Sequence, residues 1–412
     1  MANSVPERFD VAIAGGSFAG LALARALSMT GGGEIRVAVI DRAAGPPPGD
    51  DGRALAIWAG AKAFLDALGV WPLVAGDAIE VSSIEITDSA LDDGVRQPRL
   101  VYDARLGDGG SAAYMTPASA LHRALYAVIE NDPSIARFAP ADAAALSLGD
   151  DAAMITLADG RDIEASLAVA ADGRTSKLRG AAGIATVGWD YDQIGIVAIV
   201  EFDAPHDNVA VQHFLPGGPF AILPMRDNRA CITWSAARDE AQRMLALDDD
   251  AFAVELDKRI AGRFGAVKLV GPRRSWPLDL KVPRALTAKR FALIGDAAHG
   301  VHPIAGQGAN LALRDAAALA ECVVDAMRIG LDAGHAPALD RYSRWRRFDS
   351  IMSASLYEGL NRAFSVDGIV LRAGRGVGLG VIDRLPDLKR LILAEAAGQT
   401  GELPKLMRGA AV

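Results

Sequence analysis

The glycines of Gly15–Gly20 match the pattern GxGxxG, with Ser17 in the second glycine position. An apolar run, Phe9–Ala14, precedes them and a helical pattern follows. In such a turn the first glycine lets the chain reverse, the second lets backbone approach a diphosphate, and the third lets helix and strand pack closely. The diphosphate then lies at a helix N-terminus, whose free N–H groups attract anions.

An acid follows at the spacing that this chemistry needs. Asp41 lies 21 residues after Gly20, directly after a second apolar run, Ile35–Ile40. In dinucleotide-binding folds a carboxylate at this strand end accepts hydrogen bonds from the adenosine ribose. The glycines, the acid and the elements between them therefore predict a dinucleotide site rather than an ordinary glycine turn.

Two further segments place acids after apolar runs. Asp172 begins an Asp-Gly pair two residues after the apolar run Ile163–Ala170, and this pair could be a ligand contact or a plain turn. Asp296 follows Phe291–Ile294 and begins a glycine-rich loop that opens another helical pattern. We expect Asp296 to bind sugar hydroxyls, while the positive end of the helix favours negative charge in the loop.

The same loop contains His299 and His302, an HxxH spacing typical of metal ligands. A structural zinc site needs four ligands, and the chain has 6 histidines and 2 widely separated cysteines, Cys231 and Cys322. We therefore expect no metal, and we expect both cysteines to be buried thiols in a reducing compartment.

The predicted strands and helices around these motifs alternate as in an α/β domain, beginning with a β-α-β unit around Gly15–Gly20. Strands are predicted in Val81–Thr87, on both sides of an Asp159-Gly160 turn, and between Gly188 and Trp234. Helices are predicted over Ala54–Leu68, Pro117–Glu130, 251–264, Leu311–Met327, 341–362 and 383–397.

The charge balance limits the partners. A net charge of −8 over 412 residues argues against a nucleic-acid binder. The sequence shows no secretory signal and no uncharged run of the roughly 18–20 residues that a spanning helix needs, so a cytoplasmic protein is expected. Residues 341–412 differ from the rest, because 12 Lys and Arg against 7 Asp and Glu give this segment +5 while the first 340 residues carry −13.

The three motifs, in this order and at these separations, resemble those of the group A flavoprotein monooxygenases, the para-hydroxybenzoate hydroxylase superfamily. Within it, the chain is most similar to the aromatic-ring hydroxylases of ubiquinone biosynthesis over nearly its whole length. The segments that carry this likeness are Gln212–Pro224, Gly295–Asn310 and Arg372–Gly376. The sequence departs from the family at Ser17 and at Ser119, where many relatives have an arginine near the FAD phosphate.

The resemblance implies an α/β fold with a Rossmann-like FAD-binding domain written in three pieces, 1–75, 106–183 and 270–340. An antiparallel β-sheet substrate domain, 76–105 and 184–269, would be inserted into it. Residues 341–412 would form a helical C-terminal segment.

The resemblance also implies functional residues. Pro303, Gly306 and Gln307 would position the flavin ring, and His213, Phe214 and Pro219 would line the substrate pocket. The FAD contacts implied are Gly15, Ser17, Phe18, Ala19, Gly20, Asp41, Arg42, Arg53, Asp172, Gly295, Asp296, Pro303, Gly306, Gly308, Ala309 and Asn310.

The implied reaction is hydroxylation of a phenolic ring, in which NAD(P)H reduces FAD and O₂ then forms a flavin hydroperoxide that the ring attacks. The expected substrate is a polyprenyl phenol of ubiquinone biosynthesis. A hydroxylase of a soluble phenol, a prenyl-chain reductase and a halogenase are alternatives, although the halogenase signature WxWxIP is missing and Trp276-Pro277 is its nearest fragment. A non-catalytic flavin-binding scaffold is a more distant alternative. The nicotinamide donor would dock transiently, because no second GxGxxG unit is visible.

The basic C-terminal segment also has an apolar helical face, formed by Leu385, Leu388, Leu391, Ile392 and Ala396. Such a face beside excess positive charge is typical of a helix that meets an anionic membrane or a membrane-bound quinone-biosynthesis complex. An ordinary helix packed on the FAD domain has the same spacing, and one helix can do both with different faces.

Overall fold

The computed structural model describes residues 7–49, 52–107, 109–300, 306–347, 359, 378–410 and 412. The strands in these ranges are, in chain order, β1 (Glu7–Ala14), β2 (Val37–Ile40), β3 (Ala54–Trp58), β4 (Ile79–Glu80), β5 (Ser83–Asp88), β6 (Leu100–Asp103), β7 (Ala113–Pro117), β8 (Ile135–Phe138), β9 (Ala143–Leu148), β10 (Ala153–Leu157), β11 (Asp162–Ala170), β12 (Thr186–Phe202), β13 (Val209–Leu215), β14 (Gly218–Met225), β15 (Arg229–Ala237), β16 (Val267–Pro283), β17 (Thr287–Ala288) and β18 (Phe291–Leu293).

The helices are α1 (Phe18–Thr30), α2 (Ala59–Ala67), α3 (Trp71–Val74), α4 (Ala118–Ile129), α5 (Lys177–Ala181), α6 (Arg238–Leu245), α7 (Asp249–Ile260) and α8 (Gly308–Arg328). Residues 336–347 are also helical. We call Pro386–Ala396 the C-terminal helix.

The first sheet carries the predicted motifs. Its parallel centre has the strand order β18-β11-β1-β2-β8, and β17, β10 and β9 extend it by antiparallel pairing. Strand β2 is buried along its whole length, which is typical of parallel strands that are covered on both faces. Ala14 of β1 lies opposite Ala170 of β11, and Ala170 lies opposite Leu293 of β18. The segments that follow these strands therefore meet at one edge of the sheet.

The second sheet has the order β16-β12-β15-β14-β13-β5-β6 and is antiparallel except between β13 and β5. One of its faces packs against α6 and α7, with Phe252 and Leu256 among the buried side chains. The other face packs against the third sheet, β3-β7-β4, where Ala210, Ala56 and Met115 share one apolar cluster. The predicted combination of an α/β domain, an antiparallel sheet and helical structure near the C-terminus is confirmed.

One predicted element is wrong, and one expected boundary falls inside a strand. Ala54–Leu68 is not one helix, because Ala54–Trp58 forms β3 and pairs with β7, and the helix begins at Ala59. Alanine-rich sequence favours a helix locally, but pairing with a neighbouring strand outweighs that preference. The strand Val267–Pro283 crosses the expected domain boundary at 269/270 and pairs with β12 to its end, while the domain division itself stays a prediction. The predicted helix 341–362 is described only to residue 347 and at 359, and Arg372–Gly376 lies outside the described residues.

Candidate functional site

The glycine turn after β1 requires its glycines for steric reasons. Gly15 has φ +117°, and a Cβ there would lie 2.1 Å from the carbonyl oxygen of Ala171. A Cβ on Gly20 would lie 1.9 Å from the oxygen of Gly15, so α1 and β1 can pack closely only because that side chain is missing. These are the roles predicted for the first and third glycines of the motif.

The acid at the end of β2 is bound to the same turn. The N–H of Gly16 donates to Asp41 Oδ2 at 2.6 Å, and a Cβ on Gly16 would lie 2.3 Å from that oxygen. His122 Nε2 donates to the oxygen of Gly16 at 2.8 Å, and Asp41 Oδ1 accepts from Ala43 N–H at 2.8 Å. Each carboxylate oxygen has two lone pairs, so Asp41 can still accept a hydrogen bond from a ligand hydroxyl.

Ser17, the departure from GxGxxG, occupies a position whose backbone conformation does not require glycine. Its φ of −97° is ordinary for any residue, and its exposed side chain makes no capping bond to α1. Ser119 is buried in α4. Phe18 and Ala19 form the first turn of α1, so they lie at the helix N-terminus, where an anionic ligand would bind.

The second motif begins α5. Asp172 Oδ2 accepts from the N–H groups of Lys177 at 3.0 Å and Leu178 at 3.4 Å. Asp172 Oδ1 is buried and has no hydrogen-bond partner within the described part of the chain. Leaving a buried acceptor unpaired costs about 1–3 kcal/mol, so this oxygen is a candidate contact for a ligand or an ordered water.

Buried Arg179 joins the second motif to the third. Its guanidinium donates to the carbonyl oxygen of Ala297 at 2.8 Å and to that of Arg174 at 3.0 Å. Arg174 in turn donates to Asp279 Oδ1 of β16 at 2.6 Å. The two loops and the second sheet are therefore held together by charged hydrogen bonds, which are stronger than neutral ones.

The third motif is built on a buried charge. Asp315 of α8 is 0% exposed, and its Oδ2 accepts from Gly295 N–H at 3.0 Å and from His299 Nε2 at 2.7 Å. Its Oδ1 accepts from Arg346 Nε at 2.7 Å. Burial opposes ionisation of Asp315, but the charges and hydrogen bonds of His299 and Arg346 hold its pKa below the ordinary value.

Asp296, one residue after Gly295, has its side chain open to solvent but is surrounded by protein on most sides, as in a cleft. Burial raises its pKa, and the positive charges of Arg174, His299 and Arg53 oppose that rise. A carboxylate that is poorly hydrated and accessible from one side is well suited to accept hydroxyl groups of a ligand. Arg53 is exposed just before β3 and lies close enough to act on Asp296 electrostatically.

The glycine-rich loop ends in the start of α8. Gly306 has φ +60°, and Gly308 and Ala309 form the first turn of the helix. Asn310 Nδ2 donates to the carbonyl oxygens of Ala56 at 2.7 Å and Gly306 at 3.0 Å, and its Oδ1 accepts from Trp58 N–H at 2.9 Å. Asn310 thus fixes the loop to β3. Pro303 and His302 lie outside the described residues.

The predicted substrate residues lie on two faces of the second sheet. Phe214 and Pro219 are paired across β13 and β14. Phe214 lies four residues after Ala210, and alternation along β13 therefore points it toward β3 and β7. His213 points the other way, toward α7, where it stacks on Phe220 with ring centroids 6.3 Å apart.

His213 and Phe214 therefore face opposite sides of the sheet, as adjacent residues of a strand do, and their expected place in a substrate pocket stays a prediction. His213 is 1% exposed, and its Nδ1 bonds to Thr87 Oγ1 at 2.7 Å. Burial and the charges of Arg96 and Arg263 lower its pKa to about 3, so this imidazole is neutral at physiological pH.

Sequence reasoning missed several residues that the structure brings to this edge. The signal for Gly16 was present, since it stands between the turn glycine and Ser17. His122, Arg346 and Asp279 had no local signal, because they reach the site from elements far away in the sequence. Arg42, in contrast, was among the predicted FAD contacts, and the structure places it directly after Asp41 with an exposed side chain.

The geometry fits FAD. Four features lie at the ends of four strands, at one edge of the first sheet. They are a glycine turn that a Cβ would fill, the carboxylate of Asp41 bound to that turn, a buried oxygen of Asp172 and the accessible carboxylate of Asp296. Ligands of open α/β sheets bind at the carboxyl ends of the strands, which is this edge. A diphosphate at the start of α1 and sugar hydroxyls at Asp41 and Asp296 would use these groups as the chemistry requires.

Other features of the described ranges bear on function. Cys231 and Cys322 are buried free thiols, as predicted, and burial raises the pKa of Cys322 to about 12. In the described ranges no helix is long and apolar enough to cross a bilayer. No group of three or more potential metal-ligating side chains occurs among the residues described, and the expected lack of a metal stays a prediction.

Known proteins are similar to this chain in sequence and in fold. Residues 8–348 match the family described as FAD binding domain. The chain is 38% identical to ubiquinone hydroxylase UbiL of Rhodospirillum rubrum, over 99% of this chain and 94% of that one. It is 31% identical to 3-demethoxyubiquinol 3-hydroxylase of Escherichia coli, over 94% of this chain and 98% of that one. The crystal structure of p-nitrophenol 4-monooxygenase PnpA from Pseudomonas putida superimposes with a TM-score of 0.79 at 18% identity, covering 96% of this chain and 100% of that one.

Proposed function

Because the chain belongs to the family of FAD-dependent monooxygenases that share this FAD-binding domain, we propose that it hydroxylates the ring of a polyprenyl phenol in ubiquinone biosynthesis. The observation that carries the proposal is 38% identity, over 99% of this chain, to a protein named a ubiquinone hydroxylase. A relative named for hydroxylation of a demethoxyubiquinol supports the same substrate class. The likeness to the nitrophenol enzyme supports the fold alone, since 18% of residues are identical.

We assign the ADP half of FAD to the glycine turn and Asp41, which already binds the turn through Gly16 at 2.6 Å. Asp296 would accept hydroxyls of the ribityl chain, and Arg53 would face the diphosphate or the flavin. These assignments follow from the edge of the sheet at which the residues meet, and from the chemical preference of carboxylates for hydroxyl donors and of guanidinium for phosphate. The domain division at 1–75, 106–183 and 270–340 is part of this proposal, with 270–283 moved to the substrate domain.

The flavin ring would lie beside Gly306 and Gln307, with Pro303 completing the loop. Bound FAD would supply the redox chemistry, taking electrons from NAD(P)H and passing one oxygen atom of O₂ to the phenol ring of the substrate. The chain supplies position and a dry environment. Glycine at position 306 suits the positive φ of +60° and the close approach to β3, because an added Cβ would lie 3.0 Å from that of Ala56.

We propose that the phenol binds on the face of the second sheet that carries Phe214 and Pro219. Ala56, Met115, Ala210 and partly buried Leu223 form an apolar cluster on this side. Apolar walls exclude water, and water exclusion protects reactive oxygen species from side reactions. They also suit a hydrocarbon tail, which gains about 25 cal/mol for each Å² removed from water.

A prenylated phenol resides in a bilayer, so the enzyme must meet it there, and we propose the C-terminal helix as the docking surface. Leu385, Leu388, Leu391 and Ile392 are exposed, with 62% exposure at Leu391, while Leu393 on the inner side is buried. Burying such a side chain contributes roughly 1.5–3 kcal/mol.

Most charged side chains in and just before the C-terminal helix form ion pairs with each other. Lys389 binds Asp383 and Arg390 binds Asp387, each at 2.8 Å. From residue 378 to residue 396, three basic residues face three acidic ones, although 341–412 as a whole carries +5. We therefore expect apolar contact to contribute more to docking here than electrostatic attraction, a shift from what the charge count alone predicts.

Complementation tests the substrate assignment. The gene would be expressed in bacterial strains that are each blocked at one ring hydroxylation of ubiquinone biosynthesis, with quinone intermediates identified by mass. We expect rescue of at least one block by the wild-type chain and none by Asp296→Ala, which should lose FAD. Failure to rescue any block, although the expressed protein is folded and contains FAD, would favour a soluble phenol or a prenyl-chain reduction instead.

A further inference from the structure

The loop assigned to the flavin ring is connected to the C-terminal helix. The side-chain amide of Gln307 donates from Nε2 to the carbonyl oxygen of Ala396 at 3.1 Å. Gln307 is 8% exposed, so this bond is largely shielded from water. Ala396 is the last residue of the C-terminal helix, whose final carbonyl groups lack partners within the helix. One of these carbonyls is thus satisfied by the loop.

The same helix end is fixed by a second contact. Gly60, in the first turn of α2, donates its N–H to the carbonyl oxygen of Ala397 at 2.9 Å. A Cβ on Gly60 would lie 2.6 Å from the oxygen of Gly398, so the two segments approach closely only because residue 60 is glycine. Ala397 is fully buried in the apolar cluster that also contains Trp58 of β3.

Gly306 and Gln307 are therefore held from two sides. On one side Asn310 donates to the carbonyl oxygen of Gly306. The same side chain also bonds to the carbonyl oxygen of Ala56 and the N–H of Trp58 in β3. On the other side the end of the C-terminal helix binds Gln307. The bond from Gln307 to Ala396 joins residues 89 positions apart in sequence, and the helix end rests on α2, which begins directly after β3.

We propose that the carboxyl end of the C-terminal helix is a positioning element for the flavin-ring loop, acting through Gln307. This inference rests on the proposed function, which places Gly306 and Gln307 beside the ring. Displacing the helix end would let the loop move and admit water to the site. NAD(P)H, O₂ and one proton would then give NAD(P)⁺ and hydrogen peroxide in place of hydroxylated ring and water.

The test uses two single variants, their combination and a control. Gln307→Glu keeps the shape of the side chain but replaces the donor with an acceptor that faces the Ala396 carbonyl. Gly60→Ala pushes the helix end away by steric contact. Gly180→Ala in α5 is the matched control, because nothing lies within 4 Å of the added Cβ. The full-length holoenzymes would be compared with 2-geranylphenol as the probe, measuring FAD content, the visible spectrum of bound flavin and peroxide formed per NAD(P)H.

We expect all four variants to retain FAD, since Asp41 and the glycine turn are untouched. Loss of one hydrogen bond predicts a rise in the peroxide fraction of about 3- to 10-fold in each single variant, and none in Gly180→Ala. The combination should be no worse than the larger single effect, because both changes break the same contact. If Gly60→Ala does not fold, Gln307→Glu decides alone.

Peroxide fractions and flavin spectra like those of the wild type in both single variants, or effects that add fully, would overturn the inference. If the wild type does not hydroxylate the probe, the proposed substrate class is in error. The positioning role is then judged from the flavin spectrum, which reports the surroundings of the ring without turnover.

Discussion

The backbone N–H of Gly295 donates to Oδ2 of Asp315 at 3.0 Å, so a fully buried carboxylate lies directly behind the loop that carries Asp296. His299 and Arg346 complete its surroundings at 2.7 Å each. A charge taken out of water persists only where such partners surround it. Asp315 therefore couples the stability of the fold to the shape of the candidate FAD site.

Asp315→Asn should destabilise the protein by about 3–5 kcal/mol, because the buried guanidinium of Arg346 would lose the carboxylate that its Nε binds. Urea unfolding followed by circular dichroism measures this loss. The control is Asp150→Asn, which alters a carboxylate on the surface that pairs with Lys289. Equal stability of the two variants would mean that the Asp315 cluster is not a buried charge network.

Asp296→Asn should change FAD binding and stability in opposite directions. Loss of a charged acceptor should weaken FAD by about 1.5–3 kcal/mol, or roughly 10- to 100-fold. The raised pKa of Asp296 means that the folded apoprotein resists its ionisation, so its stabilising contribution is present at low pH and is lost as pH rises through the raised pKa.

The apoprotein of Asp296→Asn should accordingly be more stable than the wild type at neutral pH and equal to it below a pH of about 4. Thermal unfolding of both apoproteins across this range, with FAD titrations at neutral pH, gives the comparison. Unchanged FAD affinity would reduce Asp296 to a loop residue without a ligand role.

Two changes in the glycine turn should have very different effects. Gly20→Ala places a Cβ 1.9 Å from the oxygen of Gly15, so it should abolish FAD binding or folding. Ser17→Gly should alter stability by only a few tenths of a kcal/mol, because the position is extended, exposed and uncapped. FAD content after purification measures both. A large gain in FAD affinity for Ser17→Gly would show that serine here weakens the site.

Replacing Leu388, Leu391 and Ile392 together with serine should remove most binding to vesicles of mixed neutral and anionic lipid, because these exposed side chains would enter the lipid. Replacing Arg384, Lys389 and Arg390 with serine should change it less, since two of these three are paired within the segment. Sedimentation with vesicles at low and high salt compares the variants. Strong dependence on salt and on the basic residues would restore an electrostatic mechanism.

The position of each motif at a strand end could be predicted from the sequence, because it depends only on residues that are neighbours in the chain. An apolar strand followed by glycine or aspartate places Gly15, Asp41, Asp172 and Asp296 without knowledge of the rest of the fold. The partners of these residues were not predictable, since His122 approaches Gly16 from 106 positions away and Arg346 approaches Asp315 from 31.

The differences between the sequence predictions and the structure have physical causes. Ala54–Trp58 looks helical alone, but β7 offers hydrogen bonds that make it a strand. His213 and Phe214 are adjacent in sequence, yet the period of two along β13 sends them to opposite faces of the sheet. The bond between Gln307 and Ala396 joins segments whose meeting depends on the packing of α2, which no local pattern records.

The most direct test of ring hydroxylation is turnover of the purified protein with FAD, NAD(P)H and a polyprenyl phenol under ¹⁸O₂. We predict one ¹⁸O atom in the ring of each product molecule, with one NAD(P)H oxidised and one O₂ consumed per product. A product that carries oxygen from water, or a substrate whose prenyl chain is reduced without consumption of O₂, would contradict hydroxylation by this protein.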